Sequence, residues 1–102
     1  MSSKESCANI AEKSIQKVMQ YLESLNSNDR DEILLKMATY THNPEKQLTT
    51  CEETDMFKVM SIALTEGERH GLSLSSFKIV DNSTTSFWVP LFKGIMFHPD
   101  FQ

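Results

Sequence analysis

Up to Gly71 the apolar positions of the chain recur at helical spacing, and beyond it they crowd together. The first stripe is Ala11, Ile15, Val18, Leu22 and Leu25, at steps of four, three, four and three, with Glu and Lys on the opposite side. This one-sided pattern predicts an amphipathic helix over residues 5–25, a stretch free of Gly and Pro. The stripe runs for two heptads, short of the ~3–4 that argue for a coiled-coil seam, so it reads as a face packed on the rest of the domain. Residues 1–4, in the polar start MSSKE, are expected to fray.

SLNSNDRDEI, residues 24–33, reads as a break and a restart. Asn28 or Asp29 can cap a second helix, and Asp29, Asp31 and Glu32 favour its positive end. Ile33, Leu34, Met37 and Tyr40 predict that helix over residues 29–40, and the short link predicts that it lies antiparallel to the first. A polar loop with the turn signal Asn43-Pro44 follows. Thr50-Cys51-Glu52-Glu53 then has the form of a capping box, opening a third helix over residues 51–70. Met56, Phe57, Val59, Met60, Ile62, Ala63 and Leu64 cover more than one of its faces, which predicts a central position. Gly71 followed by Leu72 fits a Schellman-type stop.

After Gly71 the chain is rich in Phe, Val, Ile, Thr and Trp, residues that suit a pleated, half-buried surface. Residues 76–81 and 85–92 form two predicted strands joined at Asp81-Asn82-Ser83, with Pro90 marking an edge or a bulge. The fold expected is α+β, three helices followed by a short C-terminal antiparallel hairpin. The alternative is an all-α domain of four to five helices, with Ser75 capping one short helix and Pro90 opening another.

Composition sets the outer limits. Residues 1–102 suit one domain, and 39% hydrophobic with 24% charged residues is ordinary for a globular chain. The net charge of −4 sits in residues 1–71, which hold twelve acids and eight bases. Arg30 and Arg69 are the only arginines and no basic run exists, which argues against nucleic-acid binding. No apolar stretch approaches membrane-spanning length and the first twenty residues lack a secretory h-region. A cytoplasmic protein with reduced Cys7 and Cys51 is expected, in which the sequon at Asn82 is chance.

Catalytic spacing is hard to find. There is no phosphate-binding glycine loop, no nucleophile elbow, no C-x-x-C and no H-E-x-x-H. His42, His70 and His98 lack metal-ligand spacing, so no metal and no cofactor is expected. Cys51 falls at a predicted helix start, which favours a thiolate, but Glu52, Glu53 and Asp55 oppose that charge. Glu66 and His70 are i, i+4 neighbours whose pairing needs no function.

The aromatic tail carries the sharper expectation. Of nine aromatic residues six lie in residues 77–101. Read as a strand, SFWVPLF has two apolar faces, and the helices can cover one of them. Phe87, Trp88, Leu91 and Phe92 are therefore the expected anchors for another protein or for a second copy. The function expected is a small protein-binding regulator, inhibitor or adaptor that self-associates as a homodimer. One alternative is a small enzyme or ligand-binding domain with a pocket between helix 51–70 and the hairpin, using His70, Glu66 and Cys51. The other is a homodimeric structural domain without further activity.

Overall fold

The stripe beginning at Ala11 does form a helix, α1 (Cys7–Glu23), with Ile10, Ala11, Ser14, Val18, Met19 and Leu22 buried along one side. Ser14 is a polar residue within that face, and its hydroxyl donates to the Ile10 carbonyl one turn back at 3.0 Å. The computed structural model describes residues 7–44, 55–73 and 85–101. Its other elements are α2 (Ser27–His42), α3 (Asp55–Arg69), α4 (Thr85–Met96) and a 3-10 turn at Pro99–Phe101. The capping box at Thr50 and the predicted strand 76–81 lie outside the described residues.

α2 starts earlier than its acidic residues suggest. Asn26 is the cap: the Asp29 backbone N–H donates to Asn26 Oδ1 at 2.8 Å, and the Asn26 side-chain amide donates to the Asp29 carboxylate at 3.0 Å. At the end of α3 the Schellman geometry is complete. Leu72 N–H donates to the Gly67 carbonyl at 2.9 Å and Gly71 N–H to the Glu68 carbonyl at 3.1 Å. Gly71 has φ 104°, a left-handed conformation that a Cβ would disfavour.

The tail corrects the α+β expectation. Residues 85–96 are a helix, no strand occurs among the described residues, and the fold is four-helical and all-α. The reason is the period of the apolar side chains. Phe87, Trp88, Leu91, Phe92 and Ile95 step by one, three, one and three, so a helix collects them on a single face. A strand would have split them between two faces, each needing its own cover. Pro90 sits inside α4 and forfeits one backbone hydrogen bond, yet the helix persists because its apolar face is buried throughout.

α4, with α1 beside it, holds the centre that the sequence assigned to α3. It packs against both α1 and α2, while α3 packs chiefly on α1. α3 buries Met56, Val59, Met60, Ala63 and Gly67, which is one face only. Nor are α1 and α2 a packed pair, although the link between them is short. α4 separates their contacts, with Gly94 against Ile15 of α1 and Phe92 against Tyr40 of α2. Tyr40 meets Phe92, and Arg30 lies over the Phe101 ring at 5.7 Å, so α2 runs antiparallel to the 85–101 segment.

Candidate functional site

The four expected anchors are interior residues. Phe87, Leu91 and Phe92 are 0% exposed and Trp88 is 1% exposed, at the middle of one continuous core. Their rings form a chain: Phe87 meets Trp88 edge-on at 4.8 Å, Trp88 stacks on Phe92 at 5.7 Å, and Phe92 meets Tyr40 edge-on at 5.6 Å. Edge-to-face and offset contacts of this kind add about 0.5–1.5 kcal/mol each beyond area burial. In this chain the aromatic face is thus covered by its own helices α1 and α2. Met37, Met56 and Met60 are likewise buried, so these thioethers fill the core rather than line a groove.

Residues 85–92, drawn as one strand of the hairpin beside α3, belong to the helix α4. Glu66 and His70 are brought together, with His70 Nε2 3.8 Å from Glu66 Oε1, and Arg69 Nη1 lies 3.9 Å from Glu66 Oε2. Cys51 lies outside the described residues. Among the described residues no three His, Cys, Asp or Glu side chains converge as a metal site would require.

Among the described residues a concave surface lies between α1 and α3. Lys17 of α1 and Ser61, Ile62, Thr65, Glu66 and Arg69 of α3 enclose a groove of about 300 Å³. Ser61, Thr65 and Arg69 are four residues apart, so they form one ridge along α3. Ile62 supplies an apolar, half-buried side chain, and Lys17 and Arg69 are exposed cations. Glu66 is held beside Arg69 and His70, which leaves the lining cationic on balance. None of Lys17, Ser61, Ile62 and Thr65 stood out as a site residue in the sequence. The available signal was the i, i+4, i+8 row of polar residues on a helix whose other face is apolar.

The groove has a fixed neighbour. Tyr21 of α1 donates its hydroxyl hydrogen bond to Asp55 Oδ1 at 2.8 Å, pinning α1 to the start of α3. Burial, followed by the hydrogen bond and charge of Asp55 and the charge of Asp29, pushes the Tyr21 hydroxyl up to about 12. Elsewhere, among the described residues, two large apolar side chains are open, Leu35 on α2 and Phe97 after α4, each 68% exposed. Cys7 is a free thiol. No helix among the described residues is long and apolar enough to cross a membrane. The chain matches no family model, no curated protein and no solved structure.

Proposed function

We propose that this protein acts by binding another protein, as a small non-enzymatic regulator, inhibitor or adaptor. The observation that carries the reading is the groove between α1 and α3, lined by Ile62 and by the exposed cations of Lys17 and Arg69. An apolar residue within a polar rim is the usual anatomy of a recognition patch. The cations suit an acidic segment, whose approach they would steer and whose register they would fix. In this reading Phe87, Trp88, Leu91 and Phe92 serve recognition indirectly, as the rigid interior that holds α1. Cytoplasm is the compartment of this reading, which rests on the chain's two widely spaced cysteines.

The test compares proteins captured by the wild type with those captured by Lys17→Glu/Arg69→Glu, both checked for equal helix content. The reading expects named proteins to be lost from the variant. Equal capture by both overturns it.

A further inference from the structure

α2 is the least one-sided of the four helices. Ile33, Met37 and Tyr40 face the core, yet Leu35 stands 68% exposed on the other side. Asp31 and Glu32, four and three residues before Leu35, are exposed on the same side. Thr39, one turn further on, spends its hydroxyl on the Leu35 carbonyl at 3.0 Å. The outer face of α2 therefore presents one apolar side chain with two carboxylates on the turn before it.

That face is opposite in charge to the α1–α3 groove, whose lining holds Ile62 with the cations of Lys17 and Arg69 against the single carboxylate of Glu66. We infer that the groove of one copy receives the outer face of α2 from a second copy, Leu35 against Ile62, with Asp31 and Glu32 facing Lys17 and Arg69. The inference rests on the protein-binding reading of the groove and names its occupant. Charge complementarity argues for a second copy. The chain carries −4 overall, so two copies repel in most orientations, and only a contact that pairs acids with bases removes that penalty. The two surfaces are different patches on different helices, so the contact is heterologous, joining copies head to tail and leaving a free groove at one end and a free α2 face at the other.

Sedimentation of the full chain over a dilution series tests this. The expected result is a mass that rises with concentration past two copies and falls back with added salt. Asp31→Lys/Glu32→Lys alone and Lys17→Glu/Arg69→Glu alone should each lose the rise. Mixed, they should regain the rise past two copies, because the reversed α2 face of one fits the reversed groove of the other and the two native surfaces still fit each other. Leu35→Ser, a change at an exposed position, covers the case in which a charge-reversed protein fails to fold, and it should lose the rise as well. A wild type that stays monomeric throughout, or variants that associate as the wild type does, overturns the inference. A synthetic amphipathic helix bearing one Leu flanked by two Glu separates this failure from that of the groove itself. If the wild type is monomeric but the peptide shifts the backbone resonances of Ile62 and Thr65, the groove binds acidic helices and only self-recognition is wrong. If the peptide shifts neither residue, both readings fall.

Discussion

Trp88 is the largest side chain in the core, and its indole N–H finds no acceptor among the described residues. A buried N–H without a partner costs about 1–3 kcal/mol, so the ring stabilises the fold through its area and its stack on Phe92 rather than through its polar edge. Trp88→Ala is therefore expected to lose about 3–5 kcal/mol in a denaturant melt, and Trp88→Phe much less, since Phe keeps the stack and removes the unmet donor. Emission from this sole tryptophan should be blue and should stay blue on dilution, because the ring is covered by its own chain. A red emission would mean that the ring is open to water. Tyr21 makes the opposite bargain with its hydroxyl, which is used in full. Its pKa is raised to about 12 from 10.0, so the folded form holds the proton longer than the unfolded chain does. The contribution is complete below about pH 10 and is lost as pH climbs towards 12. The stability gap between wild type and Tyr21→Phe should accordingly be about 1 kcal/mol at neutral pH and shrink through that alkaline window, as read by paired urea melts. A gap that is flat with pH would show that the hydroxyl bond adds nothing.

Among the elements, α4 joins the least helical composition to the most buried face. Pro90 withholds the N–H that would reach Ser86 and crowds that carbonyl, a loss of about 3 kcal/mol for a helix interior. Pro90→Ala should raise stability by about 1–3 kcal/mol, less the roughly 0.4–1 kcal/mol by which proline restrains the unfolded chain. Thermal unfolding followed by circular dichroism measures it, and a lower midpoint would show that the proline ring makes contacts worth more than the missing bond. This helix is also where sequence reasoning failed. α1 and α2 were legible because their apolar residues leave polar intervals that only one period fits, and α3 because Gly71 and Leu72 mark where a helix ends. In TSFWVPLFKGIM the apolar residues are so dense that alternation and helical period both find matches, and aromatic content with a proline tilts the choice towards strand. The apparent need for two covers was itself the clue, since a helix removes it. The groove was less legible still, because Lys17 and the Ser61–Thr65–Arg69 row become neighbours only once α1 and α3 are paired.

At the scale of the molecule the chain has a radius of gyration of 12.9 Å, close to the ~13 Å expected of one folded domain of this length. Its extents of 45 × 27 × 24 Å describe a short rod. One of the two central helices of that rod is the last to be made among those described, and this bears on how the protein comes into being. Between Glu23, where α1 ends, and Thr85, where α4 begins, some sixty residues must be added. At a synthesis rate of about 5–20 residues per second that is several seconds. Through that interval the emerging chain holds amphipathic helices whose apolar sides have no α4 to meet, which is the kind of surface that chaperones on the ribosome attend. Assembly is thus timed by translation: a ribosome that stalls before Thr85 has made the residues of α1, α2 and α3 and none of the aromatic residues of α4 that gather them.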